Sequence, residues 1–134
     1  MSDSDSPATR FDNGLAVRKE VLGAAHVERS MAQVSEFSRP VQELVTEYCW
    51  GAVWTRPGLD RCTRSLLNLV MLTALNRGHE LAVHVKGAIT NGVTESEIQE
   101  ALLQAAIYVG VPAALESFRI AEKALGEIRP ESAG

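Results

Sequence analysis

The chain is poor in several things, and each shortage excludes something. It has two cysteines, Cys49 and Cys62, too few for a disulfide framework, so they read as free thiols. No apolar run approaches the ~20 residues that span a bilayer. Positive charge is outweighed: the formal net charge is −4, which argues against nucleic acid and against an anionic membrane surface. The opening MSDSDSPATR is polar and acidic and lacks the basic-then-apolar layout of a secretory signal, so a cytoplasmic protein with no membrane partner is expected. Glycine-rich phosphate loops are missing, as is a Gly-x-Ser-x-Gly nucleophile elbow. Neither cysteine has a histidine at a spacing that suggests a thiolate nucleophile.

What remains is helical almost throughout. At 134 residues and 46% hydrophobic there is material for one domain with a real core. Period-two alternation is absent and helix formers dominate. The pattern predicts helices over 11–22, closed at Gly23, and over 26–35. A third is capped by Ser38, with Pro40 in its first turn, and runs to Trp54. A long helix N-capped by Asp60 extends through Leu75; from Leu66 to Leu75 it is apolar nearly all round and should be central. Gly78 should break or kink the chain before a helix that ends at Asn91-Gly92. Thr94 with Glu97 reads as a capping box opening a helix to Tyr108, and a last helix covers 112–125. The division expected is a disordered tail over 1–10, a helical domain over 11–126 and a tail over 127–134. Short loops favour a compact single-domain helical bundle, all-α, and a small chain with so apolar a helix is expected to self-associate.

Charge is uneven. Residues 1–49 hold eight acids against five bases, and residues 93–134 hold seven against three. Residues 50–92 reverse the balance, with Arg56, Arg61, Arg64, Arg77 and Lys86 against Asp60 and Glu80. A basic middle in an acidic chain suggests a site for a small anion, although five scattered bases also read as solvated surface. Within it lies NRGHELAVHVKG, residues 76–87, with Glu80 and two histidines. His79 and His84 are five apart, so about 140° separates them beyond a full turn and they cannot share a face as zinc-protease ligands do. No third ligand stands at helical spacing nearby, so no metal is expected. Glu80 and His84 are four apart and do share a face, where a carboxylate can orient an imidazole for proton transfer. The same pair also reads as an ordinary surface contact that stabilises a helix.

Three stretches carry a resemblance: VLGAAHVERS (21–30), WGAVWTRPGLDRCTRSLLNLVMLTALNR (50–77) and HELAVHVKGAITNGVTESEIQEALLQAAIYVGVPAALESFRIAEKAL (79–125). Together the chain resembles the carboxymuconolactone decarboxylase family, within the AhpD-like superfamily. The resemblance implies an AhpD-like all-helical fold, usually homo-oligomeric, here a trimer or hexamer. It implies cofactor-independent decarboxylation of a small anionic lactone, carboxymuconolactone, to 3-oxoadipate enol-lactone and CO2. That step lies in the protocatechuate branch of the β-ketoadipate pathway. His84 and Glu80 would be the proton-transfer pair. Arg64, with Arg56 and Arg77 as weaker candidates, would bind substrate carboxylates. Trp50, one turn from Trp54, would serve as pocket wall, although such a pair is more often core or interface, and His26 would reach the site from a neighbouring helix or subunit. In the peroxidase branch of the superfamily the two redox cysteines would fall on Arg77 and Glu80, and an upstream Glu on Ser65. Without the dithiol, thiol–disulfide chemistry is disfavoured there. Cys62, Leu115 and the Gly78-His79 pair depart from the decarboxylase pattern, which leaves a related substrate open. A different enzyme on another lactone and a non-catalytic helical oligomer are the remaining alternatives.

Overall fold

Gly14 and Gly51 show how the N-terminal helices meet. In the computed structural model, which describes residues 6–129, a β-carbon on Gly14 would overlap the Thr46 carbonyl oxygen and lie 2.7 Å from the Gly51 amide nitrogen. One on Gly51 would overlap the Arg10 carbonyl oxygen. Only two glycines allow the backbones of α1 (Pro7–Leu22) and of the segment Val45–Val53 to approach so closely. That segment is a π-helix continuing α3 (Arg39–Leu44); its wider turn closes with Trp54 N–H donating to the Cys49 carbonyl at 3.0 Å. Between them runs α2 (Ala24–Ala32). Val17, Val21, Trp50 and Trp54 form the core here, the two indoles stacked with centroids 4.9 Å apart.

The rest of the chain comprises α4 (Arg61–Ala74), α5 (Gly78–Thr90), α6 (Glu95–Tyr108) and α7 (Val111–Ile128). Among the described residues there is no strand, and the fold is all-α. Backbone contacts divide it into two compact units, one ending at Arg61 and one beginning at Cys62. The second unit has an apolar core cluster of Leu69, Leu81, Val85, Ala88, Ile98 and Leu102, with Ala121, Ala124 and Leu125 from α7, beside the buried hydroxyls of Ser65, Thr73 and Ser117. No helix among the described residues is long and apolar enough to cross a membrane.

Several local signals act as expected. Gly23 and Gly92 end helices with φ of 94°, the region a β-carbon disfavours. Thr94 and Glu97 form the capping box: Glu97 N–H donates to Thr94 Oγ1 at 3.1 Å, and Thr94 N–H to Glu97 Oε1 at 2.9 Å.

Other expectations are corrected. α1 begins at Pro7, capped by Ser6, whose hydroxyl accepts from Thr9 N–H; residues 7–10 are therefore helical, and 1–5 lie outside the described residues. α2 ends at Ala32 instead of 35. Ser38 does not cap α3 through its side chain, because it is tied to Ser35 in a reciprocal pair of hydrogen bonds at 2.9 and 3.2 Å. The break before α5 is at Asn76, with φ of 60°, while Gly78 is already helical and packs so that a β-carbon would meet Ile120 Cδ1 at 2.9 Å. α7 continues through Ile128, because Lys86 pairs with Glu127 at 3.5 Å and Arg129 Nε donates to Glu95 at 3.0 Å; residues 130–134 lie outside the described residues. Within its own chain α4 is central on one face only: Ser65, Leu69 and Thr73 are buried, while Leu67, Met71 and Leu75 are exposed.

Candidate active site

α4 and α5 present complementary polar side chains. On α4, residues 62, 65 and 68 are spaced three apart and form one polar stripe. The Cys62 thiol donates to the Asn91 carbonyl at 3.0 Å, and Asn91 Nδ2 donates to the buried Ser65 hydroxyl at 3.1 Å. Asn68 Nδ2 lies 3.4 Å from His84 Nδ1. The α5 face is set by its apolar stripe: Leu81, Val85 and Ala88 are fully buried, which places His84 at the margin, half-buried. An amide N–H can only donate, so this contact matches the imidazole tautomer with its proton on Nε2.

The remaining sequence candidates divide between the units. Arg64 on α4 is half-buried; Glu80, one turn before His84, is exposed, and so is Arg77, whose carbonyl accepts the Leu81 N–H at 2.9 Å. Trp50, Arg56 and His26 belong to the first unit. Trp50 is buried in the core there, packed on Trp54, so the core reading describes its place; Arg56 is exposed and His26 half-buried on α2. Arg61 is held by Glu20 at 2.6 Å. The structure thus brings His84 on α5 together with Asn68 on α4. No three His, Cys, Asp or Glu side chains gather as metal ligands would among the described residues.

Two cavities lie elsewhere. One of about 530 Å³ runs between α6 and α7, along Ile98, Leu102, Phe118 and Leu125, with Glu95 and Arg129 at its polar end. The other, about 280 Å³, is in the first unit, lined by Phe11, Met31, Val34, Arg39, Gln42 and Glu43. Beside it is a residue that sequence reasoning missed. Arg18 is 8% exposed, and its Nη1 donates to Gln42 Oε1 at 3.1 Å and Thr46 Oγ1 at 3.4 Å and touches Met31 Sδ at 3.8 Å. Its Nε is buried without an acceptor. Burial holds this guanidinium below its ordinary value. Cys49 is exposed as a residue, yet desolvation of its sulfur by the surrounding protein pushes the thiol up, against the opposing pull of Arg18 and of a hydrogen bond with Trp54. A signal existed: Gly14, Val17, Arg18 and Val21 make one buried helical face, and a charge on that face is an anomaly.

Comparison with known proteins agrees with this architecture. Residues 39–123 match the model of the carboxymuconolactone decarboxylase family. A nitrosuccinic acid decarboxylase of Metarhizium robertsii is 48% identical over 118 residues, covering 88% of this chain and 82% of that protein. A 4-carboxymuconolactone decarboxylase of Acinetobacter baylyi is 40% identical over 119 residues, 89% of each chain.

Proposed function

The chain belongs to the carboxymuconolactone decarboxylase family, and from that premise we propose that it is a carboxy-lyase acting without a cofactor on a small dianionic acid that carries its own electron sink. The substrate read from the sequence motifs is 4-carboxymuconolactone, giving 3-oxoadipate enol-lactone. In it the ring carboxylate is vinylogous to the lactone carbonyl. As the carbon–carboxylate bond breaks, its electron pair passes through the double bond onto the carbonyl oxygen. A proton then arrives at the carbon next to that carbonyl. The protein has to hold the dianion, stabilise the oxyanion and supply the proton.

The observation that carries this reading is the half-buried His84 held against Asn68. With Nδ1 fixed, Nε2 is the working atom: as N–H it donates to the developing oxyanion. As part of an imidazolium it gives up a proton, with the Asn68 amide turned to present Oδ1 to the second N–H. Glu80, one turn away on the same helix, is the candidate to orient the imidazole or to carry the proton itself. Arg64, on α4 with Asn68, is the carboxylate anchor, with Arg77 in a lesser role, and Arg56, in the first unit, is assigned no step. Trp50 supports the fold around its own unit, and His26 is assigned no step.

A second reading is favoured by the higher identity to the nitrosuccinic acid decarboxylase. Nitrosuccinate is also a dianion, and its nitro group takes the electron pair when the adjacent carboxylate leaves. The two substrates make the same demands, so the fold does not choose between them. The protein is expected to self-associate, because Leu67 and Met71 on α4, Leu75 just after it, and Leu103 and Ile107 on α6 are exposed apolar side chains in the single chain.

The test is CO2 release from each acid by the purified protein. Turnover of one is expected, and His84→Ala, with its helical content and unfolding midpoint unchanged, is expected to lower kcat by about 10²–10⁴-fold. Wild-type turnover in that variant would remove His84 from the chemistry, and no CO2 from either acid would overturn the activity.

A further inference from the structure

Arg18 is a fully built cation with no anion to match it. It is 8% exposed, and among the described residues it forms no ion pair. All of its acceptors are neutral: an amide oxygen, a hydroxyl and a thioether, each at Nη1. A guanidinium offers five N–H donors in a rigid fork, and here Nε is buried with none of them satisfied at that atom. A charge removed from water in this way is strongly destabilising unless something negative joins it.

The 280 Å³ cavity supplies a route. Gln42 and Met31 line it, and both touch Arg18 Nη1. Gln42 Oε1 therefore occupies the place a carboxylate oxygen would take, and an ionised acceptor would displace it because charge-assisted hydrogen bonds are the stronger ones. The remaining walls describe the rest of the ligand. Phe11, Met31 and Val34 are apolar and suit a short hydrocarbon stem. Arg39, also in the lining, is already paired with Glu36 at 3.9 Å, and Glu43 adds a negative charge to the wall, so Arg18 is left as the cation that a ligand carboxylate can meet. That favours a monoanion over a dianion.

We propose that Arg18, with Gln42 as its exchangeable cap, anchors a carboxylate-binding site within the first unit that takes a short-chain monocarboxylate with an apolar stem. This goes beyond the decarboxylation reading and does not depend on it.

The full chain, labelled with ¹⁵N at arginine, is titrated with butanoate and followed at the Arg18 Nε–Hε resonance. A saturable shift is expected, with no shift from n-butanol, which has the stem without the charge. Arg18→Met is expected to weaken butanoate binding by about tenfold or more, whereas Gln42→Ala, which removes the cap and leaves the cation, retains it. Binding is also expected to persist in His84→Ala, so a failure here is separable from a failure of the decarboxylase reading. An Arg18 resonance that does not move, or equal affinity in Arg18→Met, overturns the site. Inorganic phosphate binding as tightly as butanoate overturns the monocarboxylate class. If Arg18→Met does not fold, the wild-type resonance decides.

Discussion

In the first unit the buried polar residues are Thr46 and a cation, Arg18, whose neutral acceptors, Thr46 among them, reach only one of its nitrogens. In the second unit the fully buried polar residues are the neutral hydroxyls of Ser65, Thr73 and Ser117, and each is hydrogen-bonded. Thr73 Oγ1 donates to the Leu69 carbonyl at 2.8 Å and lies 2.8 Å from Ser117 Oγ, while Ser65 accepts from Asn91. The packing differs in the same sense. The first unit is held by a glycine-to-glycine backbone crossing against a π-helix; the second is held by interdigitated aliphatic side chains. A fully satisfied neutral network fixes one geometry and asks for nothing further, which suits the rigid support of a histidine. An undersatisfied charge is a reservoir of binding energy, and it is found where the backbone is least regular.

The sharpest way to break the comparison is at the crossing. Gly51→Ala places a methyl group into the Arg10 carbonyl, and backbone cannot move aside as a side chain would. The variant is expected to lose about 3 kcal/mol or to fail to fold, measured by urea unfolding. A loss of a few tenths would show that the two backbones separate easily and that the crossing is not what fixes this unit. Thr73→Val probes the other side at smaller cost. It leaves Ser117 without its hydroxyl partner inside the core, for about 1–3 kcal/mol. Adding Ser117→Ala is expected to recover part of that loss, since removing both partners costs less than orphaning one.

The difference between the units also explains what the sequence made legible. Gly23, Gly92 and the Thr94–Glu97 box are local devices: their partners lie within four residues, so spacing alone identifies them. The helix that carries Glu80 and His84 was legible for the same reason, and so was the burial of Leu81, Val85 and Ala88 on it. Asn68 as the partner of His84 was not, because it comes from another helix sixteen residues away. The π-helix had no signal in a reading built on a 3.6-residue period; it shows only as two glycines, Gly14 and Gly51, whose need for each other is tertiary. Arg18 could have been found. It stands on the buried face of α1 between Val17 and Val21, where a charge contradicts the pattern, and such contradictions concentrate at functional or strained positions.

The smallest expected effect joins both themes through Cys49, which senses Arg18 directly. Cys49 is exposed as a residue, but the protein packed around its sulfur desolvates the thiol and raises it above its ordinary value, a shift that solvent screening keeps small in its effect on stability; the Arg18 charge and the hydrogen bond with Trp54 partly offset it. A thiol whose folded value is raised keeps its proton in the native state at a pH where the unfolded chain has released it. The native state then binds more protons, so stability falls as pH rises from the ordinary thiol range toward the raised folded value, and is fully present below that range. Arg18, whose value is lowered, contributes in the opposite sense, but nearer the guanidinium range and therefore at higher pH. Unfolding midpoints measured across the alkaline thiol window are expected to decline modestly in the wild type and to flatten in Cys49→Ala. Arg18→Met removes the one nearby cation that favours the thiolate, so iodoacetamide labelling of Cys49 in the folded protein is expected to need a higher pH than in the wild type. Labelling that shifts to lower pH would mean that Arg18 acts on Cys49 through packing more than through charge, and that this cation is less exposed to its neighbours' ionisation than its geometry implies.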